Sequence, residues 1–364
     1  MKIPQDIRKK LHAYPNVQTV GWGKKYKDGK PTGDYAICVG VTQKISIMGL
    51  TPKEVIPKKI GNFIIDVQET GKIEAVIKCS KPWPAPPKDK LKALEFNAKY
   101  RPVTGGASTG HYKVSAGTWS CLVQAVSKLC GLSNNHVFAN CNDALIGDPI
   151  YQPGSYDGGT SADTIAYLLD FVPIKLMGET PVPNPGTCKG SVLLKNVLDR
   201  VFKAIGSKQE IRYQERPFEF ANLVDCALAE VRDPSLVTPE ILKIGLVKGV
   251  TTGYLGQPVK KTGRTTEYTE GEIIQIEVSC QVDYGEGRAA YFEDQLMAGA
   301  MSAGGDSGSL VLSMDNYAVG LLFAGSEQTT IINKIQNIIT ALGIERFVDK
   351  IEAQIIPDDM IPTT

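Results

Sequence analysis

The chain has 364 residues, 22% of them charged and 42% hydrophobic, with a net charge of +1. This is globular composition with material for more than one domain, and the charge balance gives no reason to expect a nucleic-acid partner. No run approaches about 18 uninterrupted apolar residues, so no membrane-spanning helix or membrane partner is predicted.

Residues 1–78 read as a small α/β domain. The segment Met1 to Asp6 becomes polar at once and lacks the apolar core of a secretion signal, which points to a cytoplasmic protein. A first helix is predicted from Pro4 to Ala13, with His12 as a solvated imidazole on a charged pattern. Strands follow at Val17–Trp22, Tyr35–Thr42 and Phe63–Gln68, with turns at Asp28-Gly29 and Pro31-Thr32-Gly33. Such a domain can present substrates, mask a cleft, mediate homo-oligomers or simply pack on the rest. Residues 79–100 are a linker, stiffened by the prolines between Cys79 and Pro87.

The main domain spans 101–354 and holds the other two of the chain's three histidines. His111 follows a glycine-rich turn and could equally be a loop residue or a candidate base. His136 ends the apolar stretch Leu129 to Ser133 and sits at the rim of a buried strand. Two aspartates each open an apolar alternation, Asp163 before Thr164–Leu168 and Asp225 before Cys226–Ala229. Between them, residues 176–216 look like an insertion, turn-rich at first and helical from Val192 to Ile205. Ser307 lies in Gly305-Asp306-Ser307-Gly308-Ser309 ahead of an apolar run. Flanking glycines suit an acyl-transfer nucleophile, because the N–H groups of Gly305 and Ser307 can point at one spot where an oxyanion sits. The same residues also suit a plain polar turn. A closing helix is predicted over Asn333–Ala353, and 355–364 is a loose tail. Eight cysteines show no paired Cys-x-x-Cys pattern, so neither a metal nor another cofactor is called for.

Ser133-Asn134-Asn135-His136-Val137 together with Gly305–Gly308 resembles the histidine and serine boxes of the chymotrypsin-like (trypsin-like) serine peptidases, in their order of histidine, acid, serine. The segment from Gly256 to Thr266, followed by Gly271-Glu272-Ile273, is similar to a hairpin of the streptogrisin and α-lytic branch. Gly21 to Gly33, Leu132 to Val137 and Gly320 to Gly325 resemble bacterial relatives of the plant narrow-leaf trypsin-like proteases, which add a small N-terminal domain.

The resemblance implies a mainly β fold, a double β-barrel peptidase domain preceded by the small α/β domain, and a serine endopeptidase acting on proteins or peptides. Ser307 would be the nucleophile, His136 the base, and Gly305 and Ser307 the oxyanion donors. For the acid, Asp225 lies 89 residues after His136 and 82 before Ser307, whereas Asp163 lies 27 after and 144 before. A second barrel of about a hundred residues suits Asp225, with Asp163 as the alternative. The family pattern also implies Met301 at the floor of a specificity pocket, Phe323-Ala324-Gly325 as the edge on which an extended substrate pairs, and a cation holding Asp306 that the sequence does not identify. With no activation-type start, an always-active enzyme is expected rather than a zymogen. Reduced cysteines are expected, although Cys121 and Cys141 flank His136 near the places where relatives bridge that loop. Rival readings are a catalytically silent protease-like scaffold and a non-peptide acyl hydrolase.

Overall fold

The computed structural model describes residues 2–27, 30–75, 95–177 and 221–351. The Cys79 to Pro87 linker, nearly all of the 176–216 insertion and the 355–364 tail lie outside them. The chain is mainly β, with two barrel units as the sequence implied.

The N-terminal part contains helix α1 (Gln5–His12) and strands β1 (Val17–Lys27), β2 (Lys30–Val41), β3 (Lys59–Ile60), β4 (Phe63–Glu69) and β5 (Glu74–Ala75). Ile7 and Leu11 lie on one face of α1 at helical spacing and, with Ile3 just before the helix, pack on Val20, Ile37, Val39 and Ile65 of the sheet. Burying each aliphatic side chain there contributes about 1.5–3 kcal/mol.

The first barrel unit uses β6 (Val103–Gly105), β7 (Ser108–His111), β8 (Gly117–Thr118), β9 (Leu122–Ala125), β10 (Lys128–Ser133), the short helix α2 (Asn135–Phe138), β11 (Pro149–Tyr151), β12 (Thr164–Phe171), β13 (Ala227–Glu230) and β14 (Val237–Ile241). Its core is built on Trp119, Phe138, Ile150, Ile165 and Leu168.

The second contains β15 (Gly249–Val250), β16 (Pro258–Gly263), β17 (Glu267–Gly285), β18 (Arg288–Gly299), β19 (Leu310–Ser313), β20 (Tyr317–Gly325) and β21 (Thr329–Lys334). The strands run in the order β16-β19-β20-β21-β18-β17, and β17 pairs again with β16, so this unit is a closed six-stranded barrel. Helix α3 (Ile335–Leu342) and β22 (Ile344–Phe347) follow, and β22 crosses back to pair with β9 of the first unit. Leu132 and Leu228 from one unit pack with Leu310, Leu321 and Ile338 from the other.

Several local features differ from the sequence reading. The closing helix ends at Leu342, because Gly343 takes φ +60 as a left-handed cap and the chain re-enters a strand. His12 is half-buried rather than a free surface imidazole: its Nε2 lies 2.8 Å from Ser279 Oγ and its ring meets Tyr291 edge-on. His111 is a buried strand residue whose Nε2 lies 3.0 Å from Asp148 Oδ2. The N-terminal sheet also does not stand apart, since β1 pairs antiparallel with β17 and joins it to the barrel wall.

Candidate active site

The ladder between β10 and β13 brings His136 and Asp225 together. Ser133 is paired with Ala227, so the chain leaving β10 into α2 and the chain entering β13 lie side by side. His136 Nδ1 is 2.6 Å from Asp225 Oδ2, and the His136 backbone N–H donates to Oδ1 at 3.3 Å. The Tyr284 hydroxyl, reaching over from β17, donates to the same Oδ2 at 2.8 Å.

The backbone around Asp225 is fixed as tightly as its carboxylate. Asn134 Nδ2 donates to its carbonyl at 2.7 Å, and its N–H donates to Asn333 Oδ1 at 2.9 Å. Asn333 in turn donates to Gln295 Oε1 at 2.7 Å. A carboxylate facing Nδ1 selects the tautomer that carries its proton there, which leaves Nε2 as the acceptor. Nε2 is buried and has no hydrogen-bond partner among the described residues. Tyr284 stays protonated, since burial and then Asp225 push its pKa far up.

Asp163 is placed elsewhere. It caps the turn before β12 by accepting from the Thr160 N–H and hydroxyl, and it pairs with Lys99 at 2.5 Å. Lys99 is the largest influence holding its pKa down at about 2.

Ser307 sits between β18 and β19, held from both units. Its carbonyl accepts from the Thr118 N–H at 2.8 Å, while the Thr118 hydroxyl donates to Gly305 O at 2.9 Å. Gly308 has φ +94, and a Cβ there would lie 2.2 Å from Ser133 Oγ, so only glycine lets the two units meet this closely. The Ser307 hydroxyl donates to Phe323 O at 3.4 Å. Gly305 has φ +100, and no hydrogen bond from its N–H or that of Ser307 occurs among the described residues. Two unpaired donors two residues apart, beside a serine, form the kind of cradle an oxyanion needs.

Asp306 is fully buried, and the cation beside it is Lys261 of β16, equally buried, at 3.2 Å. The carboxylate also accepts from the N–H groups of Thr265, Thr266 and Ala303 and from the Thr266 hydroxyl. This ties the serine loop to the β16–β17 turn. Burial lowers the Lys261 pKa, and the Asp306 charge opposes that.

Met301 packs into the barrel core with Val259, Ile273 and Leu296. Phe323, Ala324 and Gly325 end β20; the Phe323 ring meets Phe292 at a tilt, and the edge at Ala324 and Gly325 is paired with β5. Cys121 is a free thiol and Cys141 is disulfide-bonded, so no bridge joins the two, and the expectation of uniformly reduced cysteines fails at Cys141. No cluster of three or more His, Cys, Asp or Glu that could hold a metal occurs among the described residues.

Sequence reasoning missed Tyr284, Asn333, Gln295 and Lys261. Lys261 lies in the Gly256–Thr266 segment, but nothing local marks it as buried.

No family model and no curated protein matches the chain. Among solved structures it is similar to a glutamic-acid-specific serine protease, at 17% identity and TM-score 0.42, over 68% of this chain and 100% of that one. It is also similar to a Nocardiopsis protease, at 13% identity and TM-score 0.42, over 68% of this chain and 99% of that one. A Cellulomonas bogoriensis chymotrypsin is similar at 15% identity and TM-score 0.40, over 68% of this chain and 99% of that one.

Proposed function

We propose that the chain is a serine peptidase, hydrolysing peptide bonds through an acyl-enzyme on Ser307. The observation that carries this is the His136–Asp225 contact at 2.6 Å inside a fully buried site, which leaves Nε2 as an unpartnered acceptor. Ser307 attacks the carbonyl carbon while His136 Nε2 takes the hydroxyl proton. Asp225 stabilises the imidazolium that forms, and Tyr284 keeps the carboxylate oriented. The oxyanion is received by the Gly305 and Ser307 N–H groups, each worth about 3–4 kcal/mol in a site of this kind. His136 then returns the proton to the leaving amine, and water hydrolyses the ester by the same route. For this the Ser307 hydroxyl must turn from Phe323 O toward Nε2, a tightening that substrate binding commonly brings. Phe323, Ala324 and Gly325 would carry the paired peptide, and Met301, in the barrel core, would act on specificity only from behind the pocket.

Cleavage of a peptide library by the full chain, followed by mass spectrometry over long incubation, tests this. Products formed by the wild type and absent with Ser307→Ala are expected; products that persist in Ser307→Ala would contradict it. The hydroxyl's bond to Phe323 O favours a second reading, a silent scaffold, which predicts no products from peptides or esters. Turnover of esters alone would make the chain a non-peptide acyl hydrolase.

A further inference from the structure

The edge of β20 on which a substrate would pair already carries a strand. β19 follows that edge to the pair Leu310 and Leu321, and the serine loop continues it to Leu322, which exchanges hydrogen bonds with Gly308 and Ser309. β5 takes it up beyond, antiparallel, with Ala75 opposite Ala324 and Glu74 opposite Gly325. The opposite edge of β20 is taken by β21, where Ile331 faces Ala324 and Thr330 faces Gly325. On its other side β5 meets β17, Glu74 against Asp283, and the Asp283 N–H donates to Ile73 O at 3.1 Å. β5 is therefore gripped between the barrel wall and the hairpin that carries Tyr284.

Side chains hold it as well. Ile73 is fully buried among Tyr284, Phe292 and Phe323, and Ala75 is buried beside it. Lys72 pairs with both Glu74 and Asp283. The Ser326 hydroxyl donates to Thr70 O at 2.5 Å and fastens the turn that leads in. The strand runs from Ser326 toward Phe323, whose carbonyl accepts the Ser307 hydroxyl, so its carboxyl end points at the nucleophile. An acyl donor needs that direction, with residues on the amino side of the reacting carbonyl lying along β20. The chemistry beneath is shut in, with His136 and Ser307 both at 0% exposure.

We propose that residues 73–75 occupy, as a built-in strand, the groove in which an extended peptide pairs with β20, so that the chain in this form is self-inhibited until the strand withdraws. This rests on the acyl-transfer reading and gives it a substrate class. The groove takes an extended peptide paired by its main chain on both edges, with a small apolar side chain in the place of Ala75 and a branched apolar one in the place of Ile73. It replaces the expectation of an always-active enzyme, because the restraint is the chain's own strand rather than a missing amino terminus. A peptide's apparent rate then scales with the fraction of molecules in which the strand is out.

The test compares the full chain as wild type, Lys72→Ala and Ile73→Asp, with Ser307→Ala as blank, by the rate of Ser307 labelling with a fluorophosphonate. Lys72 is half exposed, so its loss weakens the strand's hold without touching the core. Ile73→Asp puts a carboxylate into an apolar cluster and drives the strand out. Labelling about tenfold faster or more is expected for Ile73→Asp, with a smaller gain for Lys72→Ala. A synthetic Thr-Gly-Lys-Ile-Glu-Ala peptide, the sequence of residues 70–75, should slow the Ile73→Asp variant again. Equal labelling in wild type and both variants overturns self-inhibition and leaves acyl transfer standing. No labelling in any folded form overturns the acyl-transfer reading, and this proposal with it. If Ile73→Asp loses its circular dichroism, Lys72→Ala decides, and no acceleration there overturns the proposal.

Discussion

Asp225 receives three hydrogen bonds in a site without solvent exposure, from the His136 N–H, His136 Nδ1 and Tyr284. An acceptor-only carboxylate in that position fixes which imidazole nitrogen is free; an amide in its place can turn an N–H toward Nδ1 and reverse the tautomer. Asp225→Asn should therefore lower kcat by about 10⁴-fold. Asp163→Asn, which alters a turn cap and a pair with Lys99, should change it less than about threefold. Initial rates of peptide cleavage check both, and a larger loss from Asp163→Asn would reverse the assignment. His136 and Ser307 could be named as candidates from the sequence because the chain has only three histidines and glycines flank Ser307. Tyr284 was not, because it is one of 14 tyrosines and its contact with Asp225 depends on how β17 crosses to the other unit.

The element that presents Ser307 is a loop, and its shape depends on the β16–β17 turn. Lys261 and Asp306 neutralise each other where neither reaches water, and removing one leaves a buried charge unpaired, at a cost of about 3–5 kcal/mol. Lys261→Met should thus lower stability by that amount and also slow labelling of Ser307, because the N–H groups of Gly305 and Ser307 are aimed by the same loop. Urea unfolding together with fluorophosphonate labelling reads both effects; unchanged labelling in a destabilised protein would separate the ion pair from the oxyanion cradle. Pro31-Thr32-Gly33, expected as a turn, lies inside β2, whereas strands β1, β4, β10 and β13 and the Tyr35–Val41 part of β2 were legible from their apolar patterns. β5 was not, because Glu74–Ala75 is two residues long and gives no periodicity. The shortened closing helix reflects Gly343, a C-cap that the apolar pattern ran straight past.

At the scale of the whole molecule, the N-terminal residues are built into the second barrel. β1 extends the sheet from β17, and α1 docks there too: Arg8 donates to Glu277 O at 2.9 Å, and His12 meets Ser279 and Tyr291. Such pairings join residues more than 250 positions apart, and no local pattern announces them. Burial first, and then the charge of Arg8, lowers the His12 pKa from 6.5 to about 3. The folded state therefore binds fewer protons than the unfolded state between those values. The stability contributed by neutral His12 is complete above pH 6.5 and declines as pH falls toward 3, by up to about 1.4 kcal/mol per unit. Thermal unfolding between pH 7 and 4 should show a fall in Tm that His12→Asn makes shallower; identical slopes would contradict this.

Locating a fluorophosphonate adduct by mass spectrometry in the wild type and in His136→Ala tests whether Ser307 is a nucleophile activated by His136. A single adduct on Ser307 is predicted, formed at least about 10³-fold more slowly in the variant. An adduct on another residue, or equal rates with and without the imidazole, would contradict it.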